Sequence, residues 1–95
     1  MIRHIVLFQI KPEFRNELPQ LVANFQAMKG RIPGLLDLEA GVDVLHSDRS
    51  YDLALICTFQ DRAAFDAYQT HPVHMPVRAR MHQVRQASVA CDFEC

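Results

Sequence analysis

The segment Tyr68-Gln69-Thr70-His71-Pro72-Val73-His74 holds a phenol and two imidazoles within a few residues. Removing a proton from a carbon beside a carbonyl needs a base that titrates near neutral pH and a hydrogen-bond donor for the enolate oxygen. An imidazole and a phenol supply these groups, so His74 is the candidate base and Tyr68 the candidate donor. A structural interpretation stays open, in which Tyr68 is a core residue with its hydroxyl at the rim and His74 bonds a backbone carbonyl.

His4 is a further candidate for the same site. It stands between Ile2 and Val6 in an apolar stretch that predicts a strand, so its imidazole should point inward and need a hydrogen-bond partner. His4 either lines a pocket and orients His74, or is a core histidine whose one or two hydrogen bonds are satisfied.

A divalent metal ion is an alternative occupant of this region. His71 and His74 are three residues apart at a predicted helix start, and His4 could supply a third ligand, leaving one position open. Neither Asp61 nor Asp66 has an evident reason to orient these imidazoles, and two histidines at this spacing are a frequent chance pattern. We therefore expect no metal and no cofactor.

Pro72 predicts how the candidate side chains are positioned. A proline pushes the preceding residue out of the α region, so His71 should end one helix while Pro72 lies in the first turn of the next. On one straight helix, a spacing of six would not let Tyr68 and His74 share a side. The corner lets both face one cavity, and catalysis predicts that the imidazole of His74 and the hydroxyl of Tyr68 open onto one apolar pocket of about 300 Å³ or more.

Hydrophobic periodicity predicts the elements around this corner. Residues 2–11 form a strand with two apolar faces, and an amphipathic helix with Asn16 as N-cap and Pro19 in its first turn ends around Gly30 and Pro33-Gly34. Residues 35–46 form a half-buried strand with Gly41 as a candidate bulge, and residues 51–59 form the next strand after a turn.

The rest of the chain completes the pattern. Asp61 is the N-cap of a short helix that closes at His71, and residues 73–84 form a further helical segment. The closing strand alternates Ala87, Val89, Cys91 and Phe93 with polar or small residues. The order strand, helix, strand, strand, helix, strand is that of the ferredoxin-like fold, an α+β class with a four-stranded antiparallel sheet and helices on one face. We expect residues 1–95 to form a single domain.

The sheet face opposite the helices needs a cover. Hydrophobic residues make up 49% of the 95-residue chain, a high share for a domain that buries only about 60–65% of its unfolded surface. Pairing two such faces is the simplest way to hide them from water. The composition therefore favours a homodimer.

Charge and cysteine content exclude several classes of protein. The net charge is −1, with the charged residues scattered, so we expect no nucleic acid or membrane as partner. No apolar run approaches ~18 residues, and the N-terminus has no signal-peptide pattern. Three cysteines without CxxC spacing indicate free thiols in a reducing compartment, so the expected location is cytoplasmic.

Several segments together resemble the stress-responsive dimeric α/β-barrel (Dabb) family. They are Arg3-His4-Ile5-Val6-Leu7-Phe8, Ile32-Pro33-Gly34, Gly41-Val42-Asp43, Tyr51-Asp52-Leu53-Ala54-Leu55, and Tyr68 followed by His71-Pro72-Val73-His74. The likeness extends over nearly the whole chain. It implies a homodimer whose two sheets form a barrel, with the helices outside and a pocket between sheet and helices.

The catalytic branch of this family looks like a plant polyketide cyclase that closes a linear tetraketide into olivetolic acid. That resemblance implies that Tyr68 and His74 act on the substrate, with His4 in the pocket, and Phe25 stands where the cyclase has a tyrosine. The expected lining of the pocket is Val6, Phe8, Phe25, Phe65, His71, Val77 and Met81.

Two functional hypotheses follow. One is a homodimeric binding or structural module with a pocket for a small apolar or aromatic ligand. The other is a cofactor-independent cyclase or lyase acting on a small polyketide-like or aromatic acid, with His74 as base, Tyr68 as oxyanion donor and His4 as support. If Phe25 and Phe65 fill the pocket, the second hypothesis is excluded.

Overall fold

A computed structural model describes residues 1–95. Its elements are β1 (Ile2–Ile10), a 3-10 helix (Pro12–Glu17), α1 (Leu18–Gln26), β2 (Leu35–Val42), β3 (Leu53–Phe59), α2 (Arg62–Tyr68), α3 (Met75–Val84) and β4 (Arg85–Glu94). The four strands form one sheet in the order β2-β3-β1-β4, and every neighbouring pair is antiparallel. The predicted α+β, ferredoxin-like fold is confirmed.

The helices cover one face of the sheet, and the core lies between the sheet and the helices. β1 and β3 alternate as predicted, so that alternate residues of β3 from Leu53 to Phe59 are all buried against the helices. Phe8 of β1 stacks against Phe25 of α1, with ring centroids 5.9 Å apart. Phe59 contacts Tyr68 of α2 at 4.9 Å. These aromatic pairs fix the helical layer above the two central strands.

β2 differs from its prediction in register and length. It ends at Val42, four residues earlier than expected, and Gly41 pairs regularly with Ala54. The irregularity lies between Leu35 and Asp37 instead, because the extra residue Leu36 is left out of the ladder. The bulge explains why both Leu35 and Leu38 are buried although they are three residues apart.

The first helix also begins differently. Asn16 is not an N-cap, because it lies inside the 3-10 helix that runs directly into α1. Pro19 occupies the first turn of α1 as predicted. The helix ends at Gln26, and Gly30 and Gly34 both adopt positive φ in the turns that follow. No helix of the chain is long and apolar enough to cross a membrane.

The second helical connection is split into two helices at the predicted corner. Asp61 caps α2 as expected, its carboxylate accepting a hydrogen bond from the Ala64 amide at 2.8 Å. α2 ends at Tyr68, three residues before the predicted end at His71. Pro72 lies in the corner itself and not in the first turn of α3, where Pro76 stands. The corner is therefore longer than the proline rule alone indicated.

The opposite face of the sheet carries no helix. Ile5 of β1 lies between Ile56 of β3 and Cys91 of β4, and Leu7 lies beside Val89. Leu7, Val89 and Phe93 are 36%, 49% and 43% exposed. We call this apolar surface the open face.

Candidate functional site

Tyr68 and His74 meet at the corner between α2 and α3. Their rings are nearly parallel, with centroids 3.8 Å apart and an interplanar angle of 27°. Tyr68 is the last residue of α2 and His74 immediately precedes α3, so the chain reversal between them turns the two side chains onto each other. Both are buried, with Tyr68 1% and His74 7% exposed.

Each of these two side chains has a buried polar atom without a partner. Neither the Tyr68 hydroxyl nor Nδ1 of His74 makes a hydrogen bond within the protein. Burying an unpaired donor or acceptor costs roughly 1–3 kcal/mol, so such atoms require an explanation. The structural interpretation required His74 to bond a backbone carbonyl, and Nδ1 makes no such bond. Both atoms are therefore left without a hydrogen-bond partner inside the protein.

The surroundings fix the protonation of both groups. Burial, followed by the electrostatic effects of Arg78, His4 and His71 in that order, lowers the pKa of His74 from 6.5 to about 4. Burial raises the pKa of the Tyr68 hydroxyl well above its ordinary value. At neutral pH the imidazole is consequently uncharged and the phenol keeps its proton. The pair offers one hydroxyl donor beside a neutral imidazole.

His4 lies beside this pair and has a partner of its own. Its Nδ1 contacts Oδ1 of Asp92, its direct cross-strand neighbour on β4. Because a carboxylate only accepts, Nδ1 carries the proton and Nε2 of a neutral His4 is left as an acceptor. The His4 ring is 6.2 Å from Tyr68 and 5.1 Å from Phe65. His4 is thus a partly satisfied histidine at the edge of the aromatic cluster.

A cavity of about 350 Å³ opens between the sheet and the helices beside these residues. It is lined by His4, Val6, Phe8, Phe25, Leu55, Tyr68, Gln69, His74, Arg78, Met81, His82, Arg85, Ser88 and Ala90. The three candidate catalytic residues are brought together here, along with four of the expected lining residues. Phe25 lines the space without filling it.

Three expected lining residues lie elsewhere. Phe65 packs between His4 and Phe59. Val77 lines a separate groove of about 510 Å³ between α1 and α3. His71 turns back on the corner, where its Nδ1 accepts a hydrogen bond from the Val73 amide at 3.1 Å.

The metal alternative is not met by this geometry. No group of three histidine, cysteine or acidic side chains comes close enough to hold an ion. His71, one of the three candidate ligands, accepts the corner hydrogen bond through Nδ1. His4, His71 and His74 therefore do not form a ligand set.

Polar residues at the mouth of the cavity were missed by the sequence interpretation. Arg78 and His82 follow His74 at intervals of four, which places all three on one side of α3. That spacing was a usable signal. Arg85 reaches the mouth from the start of β4, and only the tertiary structure brings it there.

Comparison with known proteins places the chain in a family. The stress responsive A/B barrel domain (Dabb) matches residues 2–95. An uncharacterized protein of Streptomyces coelicolor is 31% identical over 77 residues, which cover 78% of this chain and 79% of that protein. Sequence and architecture thus agree over nearly the whole length.

Two solved structures are similar in fold. A dimeric ferredoxin-like protein of unknown function from Thermobifida fusca is 27% identical, with a TM-score of 0.89, covering 99% of this chain and 90% of that one. The hydroxynitrile lyase of Passiflora edulis is 20% identical, with a TM-score of 0.83, covering 97% and 90%. From the domain match and the shared fold, we conclude that this chain belongs to the stress responsive A/B barrel domain (Dabb) family.

Proposed function

We propose that this protein is a homodimer that binds a small, largely apolar organic molecule in the cavity between sheet and helices. One observation carries the proposal: the Tyr68 hydroxyl and Nδ1 of His74 are both buried and unpartnered beside that cavity. The volume of about 350 Å³ lies at the lower end of the range of about 300–1,000 Å³ usual for ligand sites. A hydroxyl or carbonyl group on the ligand would satisfy both atoms.

The open face supports the dimer. Its apolar side chains include Ile5, Leu7 and Val89, and no helix of the same chain covers them. Similar structures from Thermobifida fusca and Bacteroides fragilis are described as dimeric. A second copy packed here leaves the cavity, which lies on the other side of the sheet, free to bind.

Ligand binding is tested with p-cresol and toluene, which share an aromatic ring and differ by one hydroxyl. We expect p-cresol to shift amide signals around the cavity in two-dimensional NMR and to bind about tenfold more tightly than toluene, the ratio expected for one buried hydrogen bond. Tyr68→Phe should abolish that preference, and Tyr51→Phe, outside the cavity, should keep it. If neither compound shifts these signals at millimolar concentration, the binding function is excluded.

The dimer is tested with Leu7→Asp on the open face. A buried charge at a self-complementary interface is introduced twice, so the variant should be a monomer by light scattering at concentrations where the native protein is a dimer. Val44→Asp is the matched control, because Val44 is 90% exposed and lies outside the sheet. A native protein that is itself monomeric at ~100 µM would contradict the proposal.

Catalysis is a second candidate function, favoured by the convergence of His74, Tyr68 and His4 on one cavity, with Asp92 in contact with Nδ1 of His4. A neutral imidazole can take a proton from a carbon beside a carbonyl while the Tyr68 hydroxyl donates to the enolate oxygen. The lowered pKa of His74 makes it a weak base, so the rate should be modest. The likeness to a hydroxynitrile lyase suggests a second reaction, in which the imidazole of His74 takes the hydroxyl proton of a hydroxynitrile while the carbonyl forms and cyanide leaves.

Two reactions test the catalytic candidate. Exchange of the α-hydrogens of phenylacetone with D₂O, followed by proton NMR, reports proton abstraction itself. Cleavage of mandelonitrile to benzaldehyde and hydrogen cyanide reports lyase activity. His74→Asn should lower either activity by about 10²-fold or more, whereas His46→Asn, a matched change in an exposed turn, should not. Rates equal to those in buffer in both assays would exclude the catalytic function and leave only the binding function.

We also propose a cytoplasmic location. All three cysteines are free thiols, and Cys57 is buried in the core where burial raises its pKa to about 12. Free thiols are usual in a reducing compartment.

A further inference from the structure

We propose that the mouth of the cavity is an anion subsite, in which Arg78, His82 and Arg85 hold the carboxylate or phosphate group of the ligand. The inference rests on the binding function proposed above and adds the chemical class of the molecule. The ligand is then an organic anion whose apolar body enters the cavity.

The first support is uncompensated positive charge. The residues that line the cavity include two arginines and no aspartate or glutamate. Arg78 donates through Nη1 to the Gln69 carbonyl at 3.1 Å, and Arg85 through Nη1 to the Ser88 hydroxyl at 2.7 Å, so both have only neutral acceptors there. Arg80 on the same helix instead pairs with Glu17. The two unpaired guanidinium groups thus share the cavity mouth.

The second support is a conflict of donors around His82. Nε of Arg78 lies 3.5 Å from its Nε2, and Nη2 of Arg85 lies 3.2 Å from its Nδ1. A guanidinium group only donates, whereas a neutral imidazole has one donor and one acceptor, and a protonated imidazole has two donors. In every protonation state, at least one contact therefore sets two N–H groups against each other. An oxyanion between them would accept from both.

The shape of the cavity orients such a ligand. Phe25, Leu55 and Met81 line it and are buried, together with the two unpartnered atoms of Tyr68 and His74. Arg78 and His82 are exposed. The charged group consequently stays at the wet mouth, where guanidinium groups bind oxyanions through charge-assisted hydrogen bonds. The apolar part, with any hydroxyl or carbonyl, points inward.

The test compares ligands that share a phenol ring and differ in the anionic or neutral group attached to it. We would titrate the protein with 4-hydroxyphenylacetate, its neutral amide and 4-hydroxybenzylphosphonate at low salt, following amide shifts by NMR. At least one anion should bind about tenfold or more tightly than the amide, since charged hydrogen bonds contribute more than neutral ones. Added salt should weaken the binding of the anion and leave the binding of the amide unchanged. Whichever anion binds more tightly identifies carboxylate or phosphate as the preferred group.

Variants locate the effect. Arg78→Gln and Arg85→Gln should each lower the affinity for the preferred anion about tenfold and leave that for the amide within twofold. Arg49→Gln removes the same charge from an exposed turn outside the cavity and should alter neither. Equal affinity for anions and amide would overturn the anion subsite while leaving the binding function intact. Absence of binding by all three compounds would overturn both.

Discussion

The two faces of the sheet are built from the same strands but differ in what covers them. On the helix-covered face, aromatic rings from β1, β3, α1 and α2 interlock, and the polar atoms that interrupt them surround a cavity. The open face, where Ile5 and Leu7 lie, is apolar and carries no helix. The comparison teaches that one face is covered within the chain and holds the candidate site, while the other is left uncovered by its own chain.

The largest expected contrast comes from the same substitution on each face. Leu55→Ala, at a residue 2% exposed on the covered face, should lower the free energy of unfolding by about 2–5 kcal/mol because it leaves a cavity. Leu7→Ala on the open face should cost under about 1 kcal/mol within one subunit. Urea unfolding at a concentration where both variants are monomeric measures the difference. Equal losses would mean that the faces are not distinct.

The next effect is the pH dependence that His74 gives to the covered face. Its folded pKa is about 4 against 6.5 ordinarily, so the unfolded chain binds more protons in this window. Stability from this group is therefore fully present above pH 6.5 and lost as the pH falls towards 4, by up to roughly 3 kcal/mol. His74→Gln should flatten this part of the unfolding profile between pH 7 and 4. His46→Asn should leave it as in the native protein.

Two glycines allow a test of how closely α2 packs against the residues that precede β2. Gly34 and Gly30 both have positive φ, near 80°, so alanine should cost about 1–2 kcal/mol at either position. At Gly34 an added Cβ would also overlap the side chain of Ala64 on α2, while at Gly30 it meets open space. Thermal unfolding should show Gly34→Ala to be less stable than Gly30→Ala by about 1–2 kcal/mol. A reversed order would contradict the close packing of α2 on β2.

The smallest expected change in stability comes from a surface ion pair that belongs to neither face of the sheet. Asp66 pairs with Arg62 one turn away on α2, and both side chains are mostly exposed. Asp66→Asn should change the unfolding free energy by less than about 0.5 kcal/mol, since exposed ion pairs contribute little. Urea unfolding measures this change. A loss of unfolding free energy above 1 kcal/mol would show that this exposed ion pair stabilises α2 more than expected.

Local patterns gave correct predictions where neighbours in the chain decide the structure. Alternation in β1 and β3 identified their faces, and the Asp61 cap identified the start of α2. The bulge at Leu36 was missed because Leu35 and Leu36 are both apolar, so alternation could not tell which of them faces the core. The 3-10 helix through Asn16 was missed because asparagine is common both at helix N-caps and in tight turns, so the residue type alone does not distinguish the two.

The sequence by itself determined the order of elements, the two-faced sheet and the group of Tyr68, His71 and His74, because periodicity and proline chemistry act over a few residues. Only the tertiary structure decided that His4 pairs with Asp92, that His71 turns away, and that Arg85 joins Arg78 around His82. Those contacts depend on cross-strand register and on the angle of a helical corner. Both are set by how the whole core packs, and no short segment encodes them.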